Sequence, residues 1–366
     1  MWRSKVEAWK RIVIKVGSSS LTDESGRIHS PKLQSIARGS QILAEKNGAR
    51  FALVSSGAGA AGKERLGLTR PLTLPEKQAA AAVGQALLVL DWAQAFVPLP
   101  VAQLLLTASD MQERERYVNA RNALEASFRL GAVPVINEND SVATEELKFG
   151  DNDTLSAWTA YLMDADVLVI LTDVEGLYDS DPRLNPDAKQ IGIVEDVSEI
   201  EHLAGTAGSK RGTGGMITKL GAARIATEAG IETLIIGGGG EGLEALARGK
   251  VQGTRIRARK PTPARKAWLS QQACQGQVLV DAGAVRALSE GKSLLPSGVI
   301  GLNGSFEFGD AVTLVSEEHE IGRGLSNYSS DALKLILGLQ THQIFDVLGY
   351  KDYDEVVHRD NLVLIR

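Results

Sequence analysis

Six short runs of Val, Ile and Leu punctuate the first two thirds of the chain: Arg11 to Val16, Phe51 to Ser55, Pro100 to Leu106, Val133 to Asn137, Val167 to Thr172 and Thr233 to Ile236. They are apolar at successive rather than alternate positions, so both faces of each predicted strand are covered. Between them lie stretches of helical length and period, Ser30 to Asn47, Glu76 to Phe96, Tyr117 to Leu130, Thr154 to Met163 and Met216 to Ala229. Strand and helix in alternation predict an α/β fold, a mainly parallel sheet sandwiched by helices. The pattern runs to about Arg257 and then breaks. Arg255 to Lys266, RIRARKPTPARK, carries six basic residues with Pro261 and Pro263 and reads as an exposed linker. From Cys274 onward, short apolar runs (QVLVDAG, SGVIGLNGSF, DAVTLVS, NLVLIR) separated by Gly, Asn and Ser predict a small β-rich domain. The expected organisation is an α/β domain over 1–257, a basic Pro-containing linker over 258–272 and a β-rich domain over 273–366.

Composition narrows the classes. The 366 residues suit two domains, and 40 Lys+Arg against 45 Asp+Glu leave a net charge of −5, without the broad positive field that binds nucleic acid unaided. That charge is unevenly spread. Residues 273 to 366 hold 13 acidic and 7 basic side chains, the linker adds six positive charges, and residues 1 to 254 are themselves net −5. Cys274 is the only cysteine, which excludes an intramolecular disulfide and a cysteine zinc cluster and suits a reducing compartment. The charged N-terminus has no signal-peptide core, and no run is long and apolar enough to span a membrane, so a cytoplasmic protein is expected. The five histidines show no paired ligand spacing, so no histidine metal site is expected. The alanine-rich stretch Glu76 to Phe96 is expected to lie buried against a neighbour.

Glycine is where chemistry enters. It collects after the strand runs, as at Gly17, at Gly57, Gly59 and Gly62, at Gly212, Gly214 and Gly215, and at Gly237 to Gly240. Strand, glycine, then helix is a phosphate-site arrangement, because backbone N–H groups can approach an anion closely. Lys15, closing the first strand before Gly-Ser-Ser, fits such a site, or is a surface lysine before a turn. Gly212 to Lys219, GTGGMITK, is a flexible loop entering a helix that would place Lys219 in its first turn; it is not the Walker A spacing. Phe149 to Thr154, FGDNDT, offers four polar residues where a helix cap needs one. Asn137 to Asp140 and Thr172 to Asp179 are polar at carboxyl ends of strands, where open α/β sheets bind ligands, though the second also reads as a β-turn.

Taken together in this order, IVIKVGSS, LVSSGA, VPVINENDSV, FGDNDTLSA, LTDVEGLYD and GTGGMITK resemble the glutamate 5-kinase family of the amino acid kinase superfamily. GVIGLNGSFEFGDAVTLV resembles a PUA domain, which bacterial members commonly append. The resemblance implies ATP-dependent phosphorylation of the side-chain carboxylate of L-glutamate, the first step of proline biosynthesis, with feedback inhibition by proline. It implies catalytic roles for Lys15, Lys219 and Asp153. ATP is expected against Lys15, Thr172, Asp173, Thr213, Gly214, Gly215, Met216, Ile217, Thr218 and Lys219. Ser55, Asp140 and Asn152 fall on the family's glutamate-binding positions, with Asn137 and Asp151 nearby. Mg²⁺ is implied as cofactor, held mainly by nucleotide phosphates and water rather than by a protein metal site. The family also implies a homo-oligomer, dimer or tetramer, and hand-over of the labile product to a glutamyl phosphate reductase. Two positions depart from the family pattern: Gly59, which is expected to loosen the turn over the substrate, and Thr172, which stands for a serine and keeps the hydroxyl.

Other acceptors of the superfamily are acetylglutamate, aspartate, carbamate and uridylate. An acylated glutamate lacks the α-ammonium that Asp140 would meet. A PUA-like domain raises RNA binding, but a net charge of −6 over residues 273 to 366 argues against it, leaving the basic linker as its one support.

Overall fold

The computed structural model describes residues 9–23, 27–143, 152–180, 182, 185–200, 213–250, 253–258, 274–351 and 353–365. The chain forms two compact units, Met1–Lys260 and Pro261–Arg366. The strands of the first are β1 (Arg11–Val16), β2 (Arg50–Ser55), β3 (Val101–Leu106), β4 (Val133–Glu138), β5 (Val167–Leu171), β6 (Leu177–Tyr178), β7 (Gln190–Ile191), β8 (Ile193–Val194), β9 (Glu232–Ile236) and β10 (Gly253–Ile256). Its helices are α1 (Ser18–Leu21), α2 (Ser30–Asn47), α3 (Ala58–Arg65), α4 (Leu74–Ala95), α5 (Ala108–Gln112), α6 (Arg114–Arg129), α7 (Asn152–Leu162), α8 (Thr213–Glu228) and α9 (Gly239–Ala247).

Eight strands make one sheet in the order β3-β4-β2-β1-β5-β9-β10-β8. Its pairings are parallel except β9 with β10. The uninterrupted apolar runs do what their pattern predicts and fill cores on both faces. Ile12, Ile14 and Val16 enter one layer with Leu33, Leu43 and Trp92. Val13 enters the other with Leu155, Ala157 and Ala160 of α7. Side chains alternate along a strand, so Lys15, two residues after Val13, is directed to the α7 layer. The chain runs from β1 to β2 on one side and returns to β5 on the other, so the strand order reverses at β1. Ligands of open parallel sheets bind outside the carboxyl ends at such a point.

Helix α4 starts at a capping box in which Thr73 and Glu76 satisfy each other's backbone N–H groups. It crosses α3 at very close range. A Cβ added at Gly62 would lie 1.7 Å from the Ala80 carbonyl oxygen, and one at Gly84 would lie 1.8 Å from that of Ala58. Gly59 sits in the first turn of α3, where an added Cβ meets nothing within 4 Å, so it is a helical residue and not the loose turn its departure from the family pattern suggests.

Another difference concerns Arg255. Read by charge it begins a linker, yet it lies in β10, 6% exposed, with Nη2 2.9 Å from Glu232 Oε2. A buried guanidinium is retained because a carboxylate meets it, a pairing that spans 23 residues and is invisible to local composition. Beyond Ala258 the expected linker lies outside the described residues.

The second unit is a five-stranded sheet, β11 (Gly276–Val280), β12 (Val299–Gly304), β13 (Ala311–Ser316), β14 (His319–Leu325) and β15 (Leu362–Leu364), in the order β12-β11-β13-β14-β15. Only β11 and β13 pair in parallel. Helices α10 (Ala282–Ser289), α11 (Ser330–Ile336) and α12 (Ile344–Leu348) accompany it, around a core that includes Val278, Phe306, Leu314 and Leu333. Strand β14, HEIGRGL, has no apolar run to announce it and forms on the template of β13.

Candidate active site

Lys15 is 6% exposed near the carboxyl end of β1. An ammonium so enclosed requires an anion, and its Nζ lies 2.7 Å from Asp153 Oδ1. Asp153 is the second residue of α7, where the helix dipole favours a carboxylate. Its other oxygen, Oδ2, is 3.4 Å from Lys219 Nζ and accepts a 2.9 Å hydrogen bond from the Thr218 hydroxyl. Burial alone pushes this carboxyl group up. The charges of Lys15 and Lys219, with hydrogen bonds from Lys15 and Thr218, outweigh it and hold Asp153 below the ordinary carboxylate value. Asp153 is therefore ionised at neutral pH, and the trio carries one positive charge in excess.

Lys219 reaches this point from the second turn of α8, not the first. The helix already begins at Thr213, because Gly214 and Gly215 continue into it instead of forming a loop. Thr213, Gly214 and Gly215 thus open α8, Met216 is half-buried and Ile217 is exposed.

A chain of amides lies beside the charged trio. The Asn152 Nδ2 group, on the residue preceding Asp153, donates to Ser56 Oγ and to Asn137 Oδ1, both at 2.9 Å. Asn137 Oδ1 also accepts from the Glu138 backbone N–H at 2.9 Å, while its Nδ2 donates to Gln85 Oε1 at 2.6 Å. With both donors used, Asn152 Oδ1 is buried and meets no hydrogen-bond donor among the described residues.

Ser55 needs correction as a substrate-site residue. It is fully buried, its hydroxyl accepting from Trp92 Nε1 at 2.9 Å and donating to the Ser56 carbonyl at 3.0 Å. Alternation along β2 turns Ser55 into the core, and Ser56, just past the strand, is the serine that joins Asn152. In the SS pair the sequence cannot say which serine faces the crevice. Gln85 and Trp92 join this neighbourhood from α4, where their spacing of seven residues is the one sequence signal that they share a face.

Asp140 is half-buried in the turn after β4. Asp151 lies outside the described residues. Thr172 follows Leu171, whose partner across the sheet is Val16, so it is carried to the same end of the sheet as Lys15. Its hydroxyl donates to Asp173 Oδ1 at 3.2 Å. The structure therefore joins Lys15, Asp153, Thr218 and Lys219 in one set of contacts and Asn137, Asn152 and Ser56 in a second, linked through the adjacent residues Asn152 and Asp153.

The amino acid kinase family profile matches residues 10–237, and the PUA domain profile matches residues 276–348. The chain is 48% identical to the glutamate 5-kinase of Moorella thermoacetica, covering 97% of this chain and 96% of that protein. It is 50% identical to that of Thermus thermophilus and 48% identical to that of Syntrophotalea carbinolica, with 97% of each chain covered in both comparisons. Identity at this level over nearly the whole length extends through both units, and the chain belongs to the amino acid kinase family, within it to the glutamate 5-kinases, with a PUA domain as its second unit.

Proposed function

We propose that this chain transfers the γ-phosphoryl group of ATP to the side-chain carboxylate of L-glutamate, forming L-glutamyl 5-phosphate as the first step of proline biosynthesis. The observation that carries this reading is one buried carboxylate, Asp153, holding two ammonium groups from different elements. A glutamate side chain has a reference pKa of about 4.3, so the nucleophile is already ionised at neutral pH and needs no general base. The obstacle is the meeting of two anions and the charge that spreads over the phosphoryl oxygens during transfer. Lys15, from β1, is assigned to the nucleophile side and Lys219, from α8, to the nucleotide side. Asp153 keeps both aimed before the reaction begins, which is how preorganised charge lowers a barrier.

The substrate's α-ammonium is assigned to Asp140 and the Asn152 Oδ1 acceptor, with Ser56 in place of Ser55 and with Asn137 and Asp151 nearby. ATP is assigned to Lys15, Thr172, Asp173 and Thr213 to Lys219. Among the described residues no three His, Cys, Asp or Glu side chains gather as a metal cage, and Asp153 is committed to two lysines. Such a donor set fits a Mg²⁺ ion carried by the nucleotide phosphates and its own waters. That ion, when bound, supplies further neutralisation of phosphate charge.

A coupled ADP-release assay tests the reading. Glutamate is expected to exceed N-acetylglutamate in kcat/KM by at least about a hundredfold, because acylation removes the cation that the buried acceptors meet. Equal turnover of the two would sink the assignment. Proline, whose α-carboxylate and ammonium mimic those of glutamate, is expected to inhibit at or beside the glutamate site. Saturating glutamate should then relieve the inhibition, and persistence of inhibition would point to a separate site.

The same reading takes residues 1–257 as the kinase domain, 258–272 as linker and 273–366 as the PUA domain. It takes the working form as a cytoplasmic homo-oligomer, dimer or tetramer, that passes its labile product to a glutamyl phosphate reductase. Among the described residues no helix is long and apolar enough to cross a membrane. The acidic second unit gives RNA phosphates little to bind.

A further inference from the structure

We propose that Gln85 is a positioning residue for the substrate's ammonium group: through Asn137 it holds the Asn152 amide in the orientation that turns Oδ1, and not Nδ2, to the ligand. The inference rests on the glutamate reading above and deepens it.

One donor beside the amide chain cannot be exchanged. The Glu138 backbone N–H requires an acceptor, and Asn137 Oδ1 provides it at 2.9 Å. That contact sends Asn137 Nδ2 in the other direction, toward α4. Asn137 is 2% exposed, so water cannot serve its amide there, and an unmet donor at such a site carries a desolvation penalty. Gln85 Oε1, at 2.6 Å, meets it. Asn137 Oδ1 then remains available to Asn152 Nδ2, whose second donor goes to Ser56 Oγ. Asn152 Oδ1 is left buried and without a donor, which is the group a cationic ligand requires. Remove the Gln85 acceptor and Asn137 Nδ2 becomes a buried donor with no partner on α4, so the amide is no longer held in place from that side. As Asn137 shifts toward another acceptor, its Oδ1 contact with Asn152 Nδ2 loosens, and Asn152 Oδ1 is no longer fixed toward the substrate's ammonium.

Gln85 is held for this task by its helix. Gln78, Gln85 and Trp92 are spaced by seven and so occupy one stripe of α4. Gln78 Nε2 donates to the Ala143 carbonyl at 3.1 Å, Gln85 accepts from Asn137, and Trp92 Nε1 donates to Ser55 Oγ. One helix face thus braces the ends of β4 and β2 and the turn between β4 and α7.

Steady-state kinetics with glutamate and with glutarate, which lacks the α-ammonium, test the proposal. Wild-type turnover of glutamate is the prior control: its absence sinks the proposed function, whereas the comparison below bears on Gln85 alone. Gln85→Met is expected to raise KM for glutamate about tenfold, with kcat and KM for ATP changed by less than about twofold. Its preference for glutamate over glutarate in kcat/KM should fall by a similar factor, a change that general loosening of the fold does not produce. Gln85→Glu keeps the acceptor and is expected to stay within about threefold of wild type in that preference. An unchanged preference in Gln85→Met overturns the proposal. So does a collapse of the preference in a folded Gln85→Glu, which serves as the test even if the methionine variant fails to fold.

Discussion

Lys219→Ala is expected to lower kcat by about a thousandfold while changing KM for glutamate by less than about threefold. The asymmetry follows from where the charge acts. Lys219 lies 3.4 Å from Asp153 Oδ2, with Lys15 on the other oxygen at 2.7 Å, so its ammonium is the more loosely held of the two. Removing it takes the trio from an excess of one positive charge to neutrality. Asp153 stays ionised on Lys15, and the Asn152–Asn137 amide chain, to which the proposed reading assigns glutamate, is untouched. On the proposed reading, what is lost is the cation assigned to the phosphoryl oxygens as their charge is redistributed. Lys219→Arg is expected to recover little, since a planar guanidinium cannot replace a compact point charge beside Asp153 and Thr218. Initial-rate measurements over both substrates decide the matter: a near-normal kcat, or a raised KM at unchanged kcat, would remove Lys219 from the transfer step.

Gly62→Ala is expected to destabilise the chain by about 3 kcal/mol, which for a unit of this size lowers Tm by about 6 to 12 °C. Two effects oppose each other here. Alanine is the better helix former by about 1 kcal/mol, and Gly62 is inside α3, so local propensity favours the change. Against it, the new Cβ would stand 1.7 Å from the Ala80 carbonyl oxygen and 2.5 Å from its carbon. Both are backbone atoms of α4, so no side chain can swing away and the helices must separate. Separation also moves Gln85 and Trp92 off Asn137 and Ser55, so KM for glutamate should rise with the loss of stability. Gly59→Ala is the internal control. It adds the same methyl three residues earlier into open space, and a gain of about 0.5 kcal/mol is expected. Thermal unfolding of the two variants side by side tests the packing, and equal behaviour would contradict it.

The contrast shows how unevenly the structure was legible. Strands β1, β2, β4 and β5 fall within a residue of their apolar runs, because a strand buried on both faces writes itself as consecutive Val, Ile and Leu. A motif at a strand end points to Lys15, and motifs at the openings of helices point to Asp153 and Lys219. Strand β10 and the partner of Arg255 are not legible locally, because a buried ion pair between residues 23 apart looks like solvent-exposed charge in sequence. Strand β14 has little local signal because backbone pairing on both sides, with β13 and β15, holds it without an apolar run. Ser55 follows from the resemblance alone, and two adjacent serines differ only in the face of the strand they occupy, which local sequence does not show.

The amino-acid order by itself determined the α/β class, the change to a β-rich second unit, the family and most of the charged groups, since these follow from local periodicity and from motifs that survive as short words. The tertiary structure alone decided which groups meet: that Asp153 holds Lys15 and Lys219 together, that Ser56 rather than Ser55 joins Asn152, and that a glutamine on α4 meets the Asn137 amide. Those are contacts between segments 52 to 138 residues apart, made by the order of strands in the sheet and by a helix crossing close enough to exclude a methyl group. Hydrogen-bond direction is a property of such assembled neighbours, and no single stretch of sequence contains it.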